Sequence, residues 1–191
     1  MTSVRHPIMI QHGPWIINSS ENVYHDPWLS LRCDQVTRPD GQPGTYSVVT
    51  IKSGVSVLAI DKEDFVYLTD EFHYAIGRQS LETVSGGIDD NETAEQAARR
   101  ELEEELGLIA HELISLGTVD PFTGSLLSPT ELFLARGISE TKANPEGTEL
   151  IEMVKVPFTE AVEKVMSGEI THAPSCVLIL KAEKWLQAER S

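Results

Sequence analysis

The chain has 191 residues, 40% of them hydrophobic and 24% charged, with a formal net charge of −15. That suits one compact globular domain with a small N-terminal addition. The acidity excludes a basic face for nucleic acid, and an anionic substrate would need a cation or locally placed Arg and Lys. Cys33 and Cys176 are the only cysteines and make neither a disulfide framework nor a zinc site, so they read as buried free thiols. No apolar run approaches the roughly 20 residues of a membrane span. Residues 1–13, with Arg5, His6 and Gln11, show no signal peptide. A cytoplasmic protein is the expectation.

The segment to about Gly44 is rich in turn residues: Asn18-Ser19-Ser20, His25-Asp26-Pro27 and Pro39-Asp40-Gly41. Between them lie short strand-like stretches, chiefly Trp28–Val36. Tyr46–Ile51, Ser56–Ile60 and Phe65–Thr69 read as strands, the last two joined by a turn at Asp61-Lys62-Glu63-Asp64, in antiparallel hairpins. Leu81–Val84 is β-rich, and Ser85-Gly86-Gly87-Ile88-Asp89-Asp90 reads as a glycine loop. Thr93 opens the strongest helix, with Gln96 completing a capping box and Gly107 ending it. Strands are expected at Leu113–Val119, Leu132–Ala135 and Ile151–Val156. Helices are expected at Thr159–Met166 and Pro174–Ala188, where Pro174 suits a first turn. Strands with a few interspersed helices make an α+β pattern. The expected division is residues 1–50, a dimerising β segment, and residues 51–191, the main domain.

The run Arg99-Arg100-Glu101-Leu102-Glu103-Glu104-Glu105 holds the chemistry. At about 100° per residue, Glu101, Glu104 and Glu105 share an arc of roughly 100° with Ala94, Ala97 and Ala98, while Gln96, Arg99 and Glu103 face elsewhere. Alanines let the helix pack closely, and three carboxylates at one end of that stripe repel one another. A hard divalent cation, Mg²⁺ or Mn²⁺, would relieve the repulsion, with phosphate oxygens and water completing its shell. The preceding glycine loop could lend a main-chain carbonyl.

Gly86, Glu92, Arg100-Glu101-Leu102, Glu104-Glu105 and Gly107-Leu108 together match the box of the Nudix hydrolases, and the chain is identified as similar to that family. From about Trp28 to Leu180 it resembles the ADP-ribose pyrophosphatase and nucleotide-sugar diphosphatase branch. The likeness rests on Asp34-Gln35-Val36, Pro39-Asp40-Gly41, Glu71–Arg78, Leu81–Asp89, Glu149–Pro157 and Ser167–Ile170. The resemblance implies a Nudix-type α/β/α sandwich around a mixed sheet, with the N-terminal β segment exchanged in a homodimer.

It also implies that Glu101, Glu104, Glu105 and the Ser85 carbonyl bind the metal, and that Arg100 orients the glutamates. Glu92 is implied as a structural partner. The general base is Glu101, Glu104 or Glu131. Trp28, Tyr46, His73, Arg78 and Glu82 fall on the substrate side, Trp28 and Tyr46 as faces for the base. The competing reading of these two is a core tryptophan and a buried strand tyrosine. Three positions depart from the branch: His73 and Val84 stand where Arg and Pro are usual, and Glu131 comes about three residues late. The implied reaction is Mg²⁺-dependent cleavage of ADP-ribose or of nucleotide sugars such as ADP-glucose or GDP-mannose into a nucleoside monophosphate and a sugar phosphate. The alternatives are a housecleaning hydrolase of nucleoside triphosphates or dinucleoside polyphosphates, and a non-catalytic ligand-binding module.

Overall fold

The computed structural model describes residues 9–144 and 150–191. Arg5, His6 and Glu149 of the reading above lie outside the described residues. In chain order the elements are β1 (Ile10–His12), β2 (Trp15–His25), β3 (Leu29–Thr37), β4 (Pro43–Ile51), β5 (Gly54–Ile60), β6 (Phe65–His73), β7 (Arg78–Glu82) and β8 (Val84–Gly87). There follow α1 (Ala94–Leu106), β9 (Leu108–Val119), β10 (Leu126–Leu127), β11 (Thr130–Glu140), β12 (Glu152–Pro157), α2 (Phe158–Ser167) and α3 (Ala173–Glu189). They form two compact units: residues to 52 with 122–128, and residues 53–121 with 129–191.

The N-terminal unit is a sheet in the order β1-β2-β3-β4-β10, antiparallel except for the parallel β10–β4 pair. Its strands are longer than expected, 11 residues in β2 and nine in each of β3 and β4. Asn18-Ser19-Ser20 is not a turn but lies inside β2. Its polar side chains are satisfied across the ladder instead. Ser20 Oγ donates to Asp34 at 2.6 Å, and Asn18 Nδ2 donates to Thr37 Oγ1 at 3.1 Å. The other two turns are built locally. Asp26 Oδ1 accepts from the N–H groups of Trp28 and Leu29, and Gly41 takes the positive φ of 79° that closes the β3–β4 hairpin.

The second unit is a mixed sheet in the order β12-β6-β5-β11-β9, with β7 paired to β6 and β8 to β5. β5 runs parallel to β11 and antiparallel to β6 and β8. Strand alternation separates two cores. Val55, Val57 and Ala59 face α1 and pack with its Ala97, Ala98, Leu102 and Leu106. Leu58 and Ile60 face the other way, packing with Ala161 of α2 and Leu178, Ile179 and Ala182 of α3. Each fully buried Leu or Val contributes about 1.5–3 kcal/mol. The result is α1 on one face of the sheet and α2 with α3 on the other, the α/β/α sandwich expected.

Two local expectations change. Ser85, Gly86 and Gly87 are not loop but the end of β8, paired with Ser56, Val55 and Gly54. Cys33 and Cys176 are half-buried free thiols rather than buried ones. Burial still pushes the Cys176 thiol up. Among the described residues no helix is long and apolar enough to cross a membrane.

Candidate active site

α1 is fixed at both ends by its own sequence. The Gln96 N–H donates to Thr93 Oγ1 at 3.2 Å, and the Thr93 N–H donates to Gln96 Oε1 at 2.8 Å. Gly107 ends the helix at φ 61°. A Cβ there would come within 2.7 Å of the backbone of Ala143 and Thr141, so only glycine fits. With Ala97, Ala98, Leu102 and Leu106 turned inward, Arg100, Glu101, Glu104 and Glu105 stand half-buried along the margin and Glu103 is exposed.

Arg100 organises that margin. Its Nε and Nη2 grip Glu92, each at 2.9 Å; Nη1 donates to Glu101 at 2.8 Å and to Glu104 at 3.1 Å; Nη2 also donates to the Gly87 carbonyl at 2.9 Å. All five guanidinium donors are thereby used. The bonds to Glu92, then those to Glu101 and Glu104, hold the charge on Arg100 against partial burial, and Arg100 in turn keeps Glu92 below the usual carboxylate range. Glu92 also accepts from the Asp89 N–H at 3.0 Å, tying the segment before the helix to the same guanidinium.

Glu101 lies against Gly86. A Cβ on Gly86 would fall 2.0 Å from the Glu101 carboxyl carbon, so the glycine exists to admit that carboxylate. Register then extends the row. Gly86 is opposite Val55, and Val55 is opposite Glu131 on β11. Glu131 therefore shares the α1-facing side of the sheet, two strand spacings or about 10 Å from Gly86. Ser85 stands one residue earlier on the same strand.

As they stand, no three His, Cys, Asp or Glu side chains among the described residues are arranged to hold a metal ion by themselves. Arg100 fills the space between Glu101 and Glu104. The donor set still fits Mg²⁺, which uses one or two carboxylates and completes its octahedron with water and substrate phosphate rather than with an all-protein cage.

The residues that the resemblance puts on the substrate side fall into two groups. In the second unit, His73 Nε2 is 3.2 Å from Glu82, and Arg78, opposite His73 in the β6–β7 hairpin, donates to Thr171 at 2.7 Å. Glu82 is only 8% exposed and its second oxygen meets His172 Nδ1 at 2.9 Å. Burial pushes the Glu82 carboxyl up, but His172, a Ser80 hydrogen bond and the charge of His73 outweigh it and hold the group below its ordinary value.

In the N-terminal unit, Trp28 is 75% exposed beside the Asp26 turn, so it is no core residue. Tyr46 is half-exposed, donates to the Gly124 carbonyl and meets Trp15 edge-on at 5.5 Å. It lines a cavity of about 650 Å³ with Trp15, Arg32 and Asp34. Leu29 pairs with Ile51 and Asp34 with Tyr46, so Trp28 and Tyr46 are at least five residues apart along the strands, about 17 Å. Sequence reasoning missed Trp15 and His172; neither carries a local signal, since each is defined by partners far along the chain.

A helix carrying three glutamates and a half-buried arginine hub, laid over a glycine strand of a mixed sheet, is a margin suited to a divalent cation and phosphate chemistry. The NUDIX domain model matches residues 50–174, and the nucleoside diphosphate sugar hydrolase N-terminal domain model matches residues 15–49. The chain is 27% identical over 176 residues to an ADP-ribose pyrophosphatase of Bacillus subtilis, covering 90% of this chain and 95% of that one. It is 30% identical over 158 residues to an ADP-ribose pyrophosphatase of Mycobacterium tuberculosis, covering 81% and 76%. The solved structure of an ADP compounds hydrolase superposes with a TM-score of 0.80 at 18% identity, covering 99% of this chain and 98% of that one, a likeness of fold. The chain belongs to the Nudix family, in its ADP-ribose pyrophosphatase and nucleotide-sugar hydrolase branch, and is a pyrophosphohydrolase. Enzymes of this family work with divalent metal ions.

Proposed function

We propose that this pyrophosphohydrolase cleaves the diphosphate of nucleoside diphosphate-linked sugars, ADP-ribose or a nucleotide sugar, releasing a nucleoside monophosphate and a sugar phosphate. The observation that carries the reading is the convergence of Glu101 and Glu104 on Arg100, with the Glu101 carboxylate seated over Gly86. The printed activities of the two bacterial relatives and the match of residues 15–49 support the substrate class.

Glu101, Glu104, Glu105 and the Ser85 carbonyl would hold Mg²⁺, with Mn²⁺ as a substitute. Bound there, the ion would neutralise diphosphate charge and polarise phosphorus. Arg100, its donors spent, keeps the glutamates in place and does not reach for substrate. A glutamate takes the proton from the attacking water. Glu131, on the same side of the sheet as Gly86, joins Glu101 and Glu104 as a candidate for that role. His73 and Arg78 serve the phosphates, Glu82 joins them on the substrate side by holding the His73 ring, and Trp28 and Tyr46 offer faces for the base.

Trp28 and Tyr46 of one chain stand about 17 Å apart along the strands, and a base bracketed closely by both is most simply shared between two chains. This supports a homodimer in which the β segment of residues 1–50 is the dimerising part. A fully active stable monomer in a mass measurement would remove that part of the reading. The substrate class is tested by assaying ADP-ribose, nucleotide sugars, dinucleoside polyphosphates and nucleoside triphosphates with Mg²⁺. Preference for either of the last two would overturn it.

A further inference from the structure

The segment from Arg78 to Gly87 changes partners part-way along. As β7 it pairs with β6, ending at Glu82 opposite Thr69; as β8 it pairs with β5, starting at Val84 opposite Val57. β5 and β6 pair with each other only at Ala59 and Ile60, so elsewhere they separate and this segment fills the gap. Thr83 stands at the change and belongs to neither ladder, yet it is completely buried. Its main-chain N–H donates instead to Ser175 Oγ in the first turn of α3, at 3.0 Å. A buried N–H without a partner is costly, so Ser175 is what allows the chain to cross here.

α3 grips this junction twice. His172, its N-cap residue, meets the Glu82 carboxylate with Nδ1 at 2.9 Å, and Ser175, about one turn further on, holds Thr83. The hydroxyls carry the grip into β5: Thr83 Oγ1 lies 3.0 Å from Ser175 Oγ and 2.6 Å from Ser56 Oγ. Ser85 Oγ donates to the Thr83 carbonyl at 2.9 Å and reaches Ser56 Oγ at 3.4 Å. Ser56, Thr83 and Ser175 are completely buried. A fully satisfied buried network of this kind holds its members in one geometry. It ends one residue before Gly86, where the fit between β8 and α1 has nothing to spare: a Cβ there would fall 2.0 Å from the Glu101 carboxylate.

We propose that Ser175 and Thr83 are positioning residues for the metal-binding margin. Their buried hydroxyls set where β8 leaves β7, and thereby the seat that Gly86 gives to Glu101 and the place of the Ser85 carbonyl. This inference rests on the reading in which Glu101, Glu104, Glu105 and the Ser85 carbonyl hold a divalent cation, and it adds two residues that act only through β8. The competing role is stability alone, in which the network fills the gap between β5 and β6 and nothing at the margin depends on it.

Two variants at one position separate these roles: Thr83→Val keeps the shape and loses the hydroxyl, whereas Thr83→Ser keeps the hydroxyl and loses the methyl group. Ser175→Ala removes the partner of the Thr83 N–H. Ile179→Val, a trim in the buried face of α3 outside the network, lowers stability without touching it. Mn²⁺ binding, read from the free-ion signal in electron paramagnetic resonance, is measured for each variant well below its melting temperature, with Glu101→Gln to register loss of the margin itself. Removing an outer partner of a metal-binding group costs about 10–100-fold in affinity. The expected result is Mn²⁺ binding about tenfold weaker in Thr83→Val and Ser175→Ala, and wild-type binding in Thr83→Ser and Ile179→Val whatever their melting temperatures. Unaltered binding in Thr83→Val, or in Ser175→Ala should Thr83→Val not fold, would overturn the proposal, and so would an equal loss in Thr83→Ser. If the wild type binds no Mn²⁺, or Glu101→Gln binds it equally well, the metal reading falls and takes this inference with it. Binding lost in Glu101→Gln but kept in Thr83→Val and Ser175→Ala leaves the metal reading standing and removes this inference alone.

Discussion

Replacing Gly86 by alanine is a direct test of the site, because it acts on one carboxylate without touching it chemically. The new Cβ would sit 2.0 Å from Cδ and Oε1 of Glu101 and 2.6 Å from Oε2, whereas ordinary contact begins at 3.4 Å. The carboxylate must recede by about 1.4 Å, the difference between 3.4 and 2.0 Å. Receding, it leaves the 2.8 Å bond to Arg100 or drags the guanidinium with it, disturbing the 3.1 Å bond to Glu104. A displacement of about 1 Å at a reacting centre costs on the order of 10²-fold in rate. The clash is with the far end of a flexible side chain, so the backbone of β8 stays and the melting temperature should hardly change. The assay is AMP release from ADP-ribose at saturating Mg²⁺, with exposed Glu103→Gln as the neutral control. Near-wild-type turnover by Gly86→Ala would show that the position of Glu101 is immaterial, and the metal-site assignment would fail with it.

Glu105→Gln should lower kcat by at least about 10²-fold in a folded protein, through loss of one ligand charge, and full turnover with saturating Mg²⁺ would reduce the acidic margin to a charged surface. Trp28→Ala should raise KM roughly tenfold for every nucleotide sugar with kcat nearly unchanged, since a stacked base binds ground and transition states alike. Its melting temperature should stay put because the side chain is 75% exposed, and a lowered melting temperature with constant KM contradicts the stacking role. Glu82 gives a pH signature. Its folded value lies below the ordinary 4.5, so its stabilising contribution is present above 4.5 and disappears as pH falls through the lower folded value. Comparing urea midpoints of wild type and Glu82→Gln should show a wild-type advantage at neutral pH that vanishes in that acid window; a pH-independent difference would refute the linkage.

What the sequence exposes is what local chemistry fixes. Thr93, Gln96 and Gly107 act within one helical turn of their own positions, so both ends of α1 can be read directly. Helical periodicity likewise puts Glu101, Glu104 and Glu105 on one margin, with Glu103 out in solvent. Composition misleads where a strand is satisfied from across a sheet. Asn18-Ser19-Ser20 looks like a turn until Asp34 and Thr37 arrive as partners, and Gly86 looks like loop until Glu101 supplies the reason for its missing side chain. The meeting of Glu82 with His172 depends on how α3 returns to the sheet, which no local pattern in either segment records. The parallel pairing of β10 with β4 is equally non-local.

The charge problem posed by the acidic helix has a two-part solution. Three carboxylates on one margin call for a cation, and the sequence alone points to a metal. The structure supplies a first cation from within: Arg100 draws Glu101 and Glu104 together and binds Glu92 and the Gly87 carbonyl at the same time. The helix margin is therefore ordered by the protein's own charge before any metal arrives. Such an arrangement has a physical advantage for an enzyme of net charge −15 acting on a diphosphate. Carboxylates already held in place would pay little ordering entropy on taking a metal, and the oxygens that Arg100 leaves available would supply only part of its shell, leaving the rest to water and substrate. The same guanidinium cannot be redeployed to bind phosphate, because its five donors are spent. Contacts to the anionic substrate must come from elsewhere, and the second unit offers the Arg78 guanidinium.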